Sequence, residues 1–449
     1  MNSNLVREIK LAKKYTKSGR SEEARHIYEK ILTKFPYNKA ARTALNKLLQ
    51  SIPLQTVSPA EAPSAQINQL KDLYQKNMFE LVISGVDKLA KSYSNSDHLW
   101  NLKGASYLGL KKFEAAIVCF KNGLELNPNY AVMHNNLGNA LIATGQRAAA
   151  LQSYEKAFKI DPKFVEAGKN LAFHLKGLVF AQPNSDMKNA LLSLLAIKKS
   201  VRPMSIARAA ISLIKLEPSL EKILHFKRKD AQNISWAEVV SELADLPLLI
   251  KLMSVSVIPD LSLEKIFIEI RRNLLFTLDG VKETKKINRF QSALAHLCFN
   301  NEYVYTQSKD ESKVLDSLIG TIESILLSGA QPSPKSILCL ASYTPLYKYD
   351  WSKLLSSNIY IDEIFTRQVV EPGIEARLKK NMKILSEITD EVSTSVRKQY
   401  EENPYPRWVD LELPAAPASI AEIVKGKKLK LFDFNICQVE SPSILIAGC

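Results

Sequence analysis

A long internal repeat constrains this chain more than any other feature of its sequence. Pro128 and Pro162 differ in position by 34 (162 − 128), and the segment before each proline has the same order of apolar, small and aromatic residues. Gly104 and Gly138 occupy one repeat position, where a small residue lets two helices approach closely. Each proline ends the second helix of a pair, because proline cannot continue the helical hydrogen bonds. The spacing therefore predicts stacked helical hairpins in the front third of the chain.

The two copies match the signature positions of a known repeat. These positions hold Trp100, Gly104, Tyr107, Ala116, Phe120, Gly123 and Pro128 in the first copy, and Leu137, Gly138, Leu141, Ala150, Tyr154, Ala157 and Pro162 in the second. The pattern and its spacing resemble the tetratricopeptide repeat. An earlier copy runs from Leu11 to Pro36, and a worn copy over 63–96 has Ser94 in place of proline. This resemblance implies a protein or peptide partner, bound in the concave groove of the array.

Polar residues on the first helix of each hairpin are the candidates for lining this groove. They are Asn101, His134, Asn135 and Asn139. Their side chains have the hydrogen-bonding groups that an extended peptide backbone needs. The alternative is that they are ordinary exposed positions of a helix, and one sequence does not distinguish the two.

The rest of the chain is divided by changes in periodicity and in proline content. Three prolines in residues 51–63 predict a flexible linker, and the repeat period does not persist beyond a capping helix near 164–171. The predicted fold class is mainly α, a repeat solenoid followed by a helical domain. The predicted divisions are an isolated repeat-like hairpin (1–50), a proline-rich linker (51–63), the array with its capping helix (64–180), an α-helical domain (181–395), and a linker with the start of a further domain (396–449).

In the helical domain, amphipathic segments alternate with Pro and Gly breaks. The predicted helices are 189–196, 203–215, 236–243, 263–275, 290–299 and 313–327. His296 and Cys298 lie together but lack further ligands at the spacing of a metal or nucleophile pair. We therefore interpret Cys298 and Phe299 as core residues, and Asn300 and Asn301 as the end of a helix. We interpret Glu371–Glu375 as a turn, with Glu375 starting the next helix; an acid–base role for its carboxylates has no identifiable partner.

Composition and charge exclude several classes of function. The net charge of +15 is spread along the chain without aromatic residues among the basic ones, so nucleic-acid binding is not favoured. Five cysteines, far apart and without CxxC spacing, predict neither disulfides nor a metal site. The first residues lack the apolar core of a signal peptide, and no uncharged stretch is long enough to span a bilayer. We therefore predict a cytoplasmic protein.

Two segments near the carboxyl end have a different character. Pro404 and Pro406 force an extended backbone after a helix that ends near residues 400–402, which displays Tyr405, Arg407 and Trp408. Residues 442–449 read as a buried strand running into a glycine turn, the arrangement that begins many nucleotide-binding sheets. This predicts the first strand of a Rossmann-like domain, with the chain being a fragment cut where that domain starts.

Together with Asn301–Val304 and Val370–Pro372, these segments resemble bacterial tetratricopeptide-repeat proteins that carry a carboxyl-terminal S-adenosylmethionine-dependent methyltransferase domain. The resemblance implies that Ala447, Gly448 and Cys449 begin the cofactor turn. Tyr405, Arg407 and Trp408 are then either lid residues over the cofactor or part of a rigid linker between domains. Catalytic residues are not identified, and S-adenosylmethionine is not expected to bind this fragment.

Two hypotheses for function follow. In the first, the parent protein is a methyltransferase and this chain is its substrate-recruiting portion, itself catalytically inactive. In the alternative, the chain is a repeat scaffold that mediates protein–protein interaction without catalysis.

Overall fold

The computed structural model describes residues 3–18, 21–34, 38–51, 62–197, 201–224, 235–280, 282–380, 390–402, 419–427, 430 and 433–439. These residues form helices joined by turns and short loops, and they contain no strand. The chain divides into two compact units, residues 1–129 and 130–449, which are described separately.

The described part of the first unit contains seven helices with two separate apolar clusters. The helices are α1 (Ser3–Lys17), α2 (Ser21–Lys34), α3 (Lys39–Ser51), α4 (Ser64–Gln75), α5 (Phe79–Ala90), α6 (Asp97–Gly109) and α7 (Phe113–Leu126). Residues of α1, α2 and α3 form one cluster around buried Tyr28 and Ile31. Residues of α4 to α6 form the other, around buried Val82 and Val86. In the hairpin of α6 and α7, Gly104 faces the ring of Phe120 so closely that a Cβ would lie 2.5 Å from it.

The second unit begins with the helices of the second well-kept repeat. Its helices are α8 (Ala131–Ala143), α9 (Arg147–Ile160), α10 (Val165–Leu175), α11 (Ser185–Ala196), α12 (Pro203–Lys215), α13 (Pro218–Leu224), α14 (Trp236–Ala244), α15 (Pro247–Val255), α16 (Leu261–Phe276), α17 (Lys285–Asn300), α18 (Lys309–Leu327), α19 (Pro334–Ala341), α20 (Asp362–Phe365), α21 (Glu371–Lys380), α22 (Glu391–Glu402) and α23 (Ile420–Lys427).

Helix α17 is the centre of the second unit, and α14, α15, α19 and α20 pack around it. Almost every residue from Ile287 to Asn300 is buried, so neighbouring elements enclose the helix on most of its circumference. Thr284 begins it, its hydroxyl accepting a hydrogen bond from the Ile287 N–H at 3.2 Å. Helix α18 begins with a capping box, in which Ser308 and Glu311 each accept a hydrogen bond from the other's backbone N–H. These caps define where the helices start.

A buried arginine lies in the core of this unit. Arg271 of α16 is 2% exposed and donates hydrogen bonds to the carbonyl oxygens of Thr306 at 2.8 Å, Tyr305 at 3.3 Å and Ser342 at 3.4 Å. Its guanidinium carbon stands 4.2 Å from the ring centroid of Tyr343, whose hydroxyl donates to Glu311 at 2.8 Å. The cation thus ties α16 to the segments before α18 and after α19.

Among the described cysteines, three are buried as thiols. Burial raises the pKa of Cys119 and of Cys298 to about 11, and that of Cys339 to about 12. Cys119 belongs to the first unit, and the other two belong to the second. The prediction that Cys298 and Phe299 are core residues is confirmed, since both are buried in α17.

The buried histidine of α17 makes stability depend on pH. His296 is 2% exposed, and its Nε2 lies 3.5 Å from Glu363 Oε2. Burial lowers the pKa of His296, and Glu363 only partly opposes this. The folded chain then binds fewer protons than the unfolded chain below about pH 6.5. The free energy of unfolding is therefore expected to fall as the pH drops from 7.5 to 5.5.

Urea denaturation at the two pH values tests this. His296→Gln removes the titrating group, so its loss of stability between pH 7.5 and 5.5 is expected to be smaller than that of the wild type. His26→Gln, at an exposed position of α2, is the control and is expected to keep the wild-type pH dependence. An unchanged pH dependence in His296→Gln would contradict the assignment.

One sequence prediction is wrong, and two others concern residues that are largely outside the described ranges. The turn expected at Glu371–Glu375 is wrong, because the chain is helical without a break from Asp362 to Lys380, with a π-helical turn at Thr366–Val370. Pro372 closely follows this π-helical turn, so its missing N–H falls where the regular α-helical hydrogen bonds are already interrupted. The strand expected at 442–447 and most of the linker expected at 51–63 fall outside the described residues.

Candidate peptide-binding site

Three asparagines from two helices of the second unit form a cluster of side-chain amides. Asn135 and Asn139 lie one turn apart on α8, and Asn170 comes from α10. The Nδ2 of Asn170 donates to Asn135 Oδ1 at 3.0 Å and, more weakly, to Asn139 Oδ1 at 3.5 Å. Among the described residues, none accepts a hydrogen bond from the Nδ2 of Asn135 or of Asn139. Each of these amides therefore has donors left for a further partner.

Tyr154 of α9 fixes the position of Asn139. Its hydroxyl donates to Asn139 Oδ1 at 2.8 Å, and burial raises its pKa to about 12, so it remains a donor at neutral pH. The tyrosine ring rests on Gly138, where an added Cβ would lie 2.5 Å from it. The glycine and the aromatic residue of the repeat signature thus bring the hydroxyl of one helix to the amide of the other.

The edge of the cluster carries a histidine and an arginine. The ring of His174 stacks on that of Tyr154, with 5.6 Å between their centroids. Arg147 donates from Nη2 to the carbonyl oxygen of His174 at 2.7 Å. Burial, helped by the charge of Arg147, lowers the pKa of His174, so this imidazole is neutral at pH 7. The site at this pH is therefore built of neutral hydrogen-bonding groups beside one cation.

The four residues predicted for the groove fall into two groups. Asn135 and Asn139 belong to the amide cluster, and Asn135 is only 2% exposed, so it is not an ordinary surface position. His134 lies on the same helix and is 8% exposed. Asn101 lies on α6 of the first unit and is half-buried. Their role in binding a peptide stays a prediction.

Asn170 was missed by the sequence reasoning. The signal was present, since Asn170 follows Asn136 at the spacing of the two repeat prolines (170 − 136), just as Asn135 follows Asn101 (135 − 101). The segment 164–171 was interpreted as a capping helix rather than as the start of a further copy of the repeat, so this periodicity was not used. The candidates near the carboxyl end, Tyr405, Arg407, Trp408, Ala447, Gly448 and Cys449, lie outside the described residues.

Family models agree with the helical hairpins. Residues 99–130 and residues 131–164 each match a model of the tetratricopeptide repeat. The chain is thus a mainly helical protein that carries tetratricopeptide repeats, as the spacing of its prolines predicted. Both matched models describe this repeat, so they lend no support to the methyltransferase resemblance.

The relatives that match this chain in sequence are fungal. The peroxisomal targeting signal receptor of Kluyveromyces lactis is 33% identical over 138 residues, which is 30% of this chain and 23% of that protein. The receptor of Saccharomyces cerevisiae is 40% identical over 60 residues, 13% of this chain and 10% of that protein. The small glutamine-rich tetratricopeptide repeat-containing protein 2 of Mycosarcoma maydis is 36% identical over 73 residues, 16% and 21% of the two chains. This chain spans less than a quarter of each of these relatives, and a bacterial origin has no support among them.

Solved structures with tetratricopeptide repeats also match. The first repeat domain of Spaghetti (RPAP3), bound to an HSP90 peptide, is 20% identical with a TM-score of 0.24, covering 24% of this chain and 87% of that one. YrrB, described as a repeat protein with an unusual peptide-binding site, is 17% identical with a TM-score of 0.25, covering 44% and 89%.

Metal-binding clusters and membrane-spanning helices are absent from the part of the chain that the structure describes. No group of three or more His, Cys, Asp or Glu side chains there can hold a metal ion. None of the described helices is long and apolar enough to cross a membrane.

Proposed function

We propose that the chain is a scaffold whose repeats bind an extended segment of a partner protein through the amide cluster. The observation that carries this proposal is the bonding of Asn170 to Asn135 and Asn139, which holds three side-chain amides in one cluster. A primary amide offers both donors and an acceptor, as each peptide group of an extended chain does. The cluster therefore matches a peptide backbone rather than a particular side chain.

The fixed positions of these amides favour binding. Tyr154 holds Asn139 by a hydrogen bond at 2.8 Å, and Gly138 lets that tyrosine approach. A side chain already held in place loses little rotamer freedom when a ligand binds, so more of the interaction energy remains as affinity. Several of the relatives are named as targeting-signal receptors, which supports a peptide as the ligand class.

A peptide selection followed by calorimetry tests the proposal. Peptides are selected against the full chain from a random display library, and the affinity of a selected peptide is then measured for the wild type and for variants. Asn139→Ala and Asn170→Ala are each expected to weaken binding by about tenfold, the loss of one or two hydrogen bonds.

The matched control is Gln152→Ala, which removes an exposed side-chain amide of α9 in the same unit. It is expected to leave the affinity within about twofold of the wild type. Circular dichroism of each variant checks that the helices are intact. Selected peptides that bind the asparagine variants and the wild type equally well would place the binding site elsewhere.

The methyltransferase hypothesis concerns residues outside the described ranges. Cofactor binding at 447–449, the lid at 405–408 and a cytoplasmic location stay predictions. The scaffold hypothesis has the better support, because the matched repeats and relatives concern interaction modules and peptide recognition.

A further inference from the structure

A cleft in the second unit, separate from the repeat helices, has the features of a ligand site. It has a volume of about 980 Å³ and lies between α15, α17 and the segment 357–363. This is at the upper end of the range for small-molecule sites, roughly 300–1,000 Å³. Helices α15 and α17 line the cleft with Lys251, Lys285 and Arg289, and the segment 357–363 lines it with Asp362 and Glu363.

Within the described ranges, these three cations have no ion-pair partner. Among the described residues, none pairs with Lys251, Lys285 or Arg289, whereas the adjacent Lys286 pairs with Asp245 at 2.6 Å. Lys285 begins α17, and the first turn of that helix contains no acidic residue. Positive charge is disfavoured at the positive end of the helix dipole unless an anion is present. This arrangement favours an anionic ligand.

A buried amide among the lining residues indicates that the ligand also needs a hydrogen-bond donor. Asn288 is 2% exposed, and its Nδ2 donates to Glu283 Oε1 at 2.7 Å. That bond fixes the amide orientation, because a carboxylate only accepts. In the part of the chain that the structure describes, the Oδ1 of Asn288 then has no hydrogen-bond partner, which is costly for a buried acceptor. A ligand hydroxyl would satisfy it.

The segment 357–363 of the cleft also carries hydrogen-bond acceptors. Asp362 accepts from the Ser357 hydroxyl at 2.5 Å, and Glu363 faces His296. Two carboxylates there repel an acidic peptide that continues across the cleft, whereas they are compatible with a ligand that is anionic at one end only. The walls thus favour a small molecule with a charged end and a hydroxylated end.

We propose that this cleft binds a phosphate ester bearing hydroxyl groups, a sugar phosphate or a nucleotide. Lys251, Lys285 and Arg289 hold the phosphate, because Lys and Arg are the side chains that pair best with its oxygens. Asn288 and Asp362 accept from the hydroxyl groups. The site is distinct from the amide cluster, so this inference does not depend on the proposed peptide binding.

Calorimetry on the full chain at low salt tests the cleft with two probes, ADP and glucose 6-phosphate. At least one is expected to bind, and Lys285→Gln and Arg289→Gln are each expected to weaken it by about tenfold or more. The control is Lys286→Gln, which removes the same charge from the neighbouring residue outside the cleft and is expected to change the affinity by less than about twofold.

Three results would overturn the proposal. The first is no binding of either ester at about 1 mM. The second is an equal loss in Lys286→Gln and Lys285→Gln, which would indicate general attraction to a chain of charge +15. The third is that neither ester binds, whereas a glutamate-rich peptide binds and Lys285→Gln weakens that binding. This result would assign the cleft to an acidic peptide.

Discussion

Replacing Arg271 by alanine is expected to lower the free energy of unfolding of the second unit by about 3–5 kcal/mol. The substitution removes a fully buried side chain, leaves a cavity, and strips three carbonyl oxygens of their donor. It also removes the cation that packs against the ring of Tyr343 at 4.2 Å. This is a large fraction of the stability of an ordinary domain.

Chemical denaturation monitored by circular dichroism measures this loss. The neighbouring Arg272 provides a matched control, because it is exposed and its guanidinium carbon lies 5.7 Å from the centroid of the Phe276 ring at the surface. Arg272→Ala is expected to cost less than about 1 kcal/mol. Equal losses in the two variants would show that Arg271 contributes no more than a surface arginine.

Replacing Gly138 by alanine is expected to destabilise the repeat, although alanine is the better helix former. The added Cβ would lie 2.5 Å from the Tyr154 ring, which is itself buried and cannot move aside freely. Overpacking of this kind costs roughly 1–3 kcal/mol, against a gain of about 1 kcal/mol from helix propensity. Movement of the ring would also displace the hydroxyl that holds Asn139, so peptide affinity is expected to fall with stability.

Gly320 is the control for this prediction. It lies in the middle of α18, is exposed, and has no atom within 4 Å of an added Cβ. Gly320→Ala is therefore expected to raise the free energy of unfolding by about 0.5–1 kcal/mol, the opposite sign from Gly138→Ala. If Gly138→Ala proved at least as stable as the wild type, the close packing of Gly138 against Tyr154 would not be needed for the stability of the repeat.

The sequence predicted the helices well where local signals agree with packing. The helix expected at 203–215 is observed with the same bounds, because Pro203 suits a first helical position and the apolar residues have one clear period. The helix expected at 290–299 begins earlier in the structure, at Lys285, after the Thr284 cap. The first turn was not predicted because it contains Lys285 and Lys286, which are not apolar. The local sequence pattern thus predicts that a helix is present more reliably than it predicts the residues at which the helix begins and ends.

The candidate sites were harder to predict, because they depend on contacts between distant residues. Arg271 stands in the run Ile-Arg-Arg-Asn, where nothing distinguishes the buried arginine from its exposed neighbour. Asn288 similarly resembles a polar surface residue of α17, yet it is buried beside the cleft. Burial of a polar side chain is set by which helices pack over it, and one sequence without its tertiary contacts does not contain that information.

The buried cysteines make this protein a reporter of its own unfolding. A thiol whose pKa is about 11 or 12 is almost entirely protonated at neutral pH, and a protonated, buried thiol reacts poorly with alkylating reagents. Cys119 becomes labelled when the first unit opens, and Cys298 and Cys339 when the second does. Pulse alkylation read by peptide mass spectrometry therefore gives the opening rate of each unit separately, without an engineered residue.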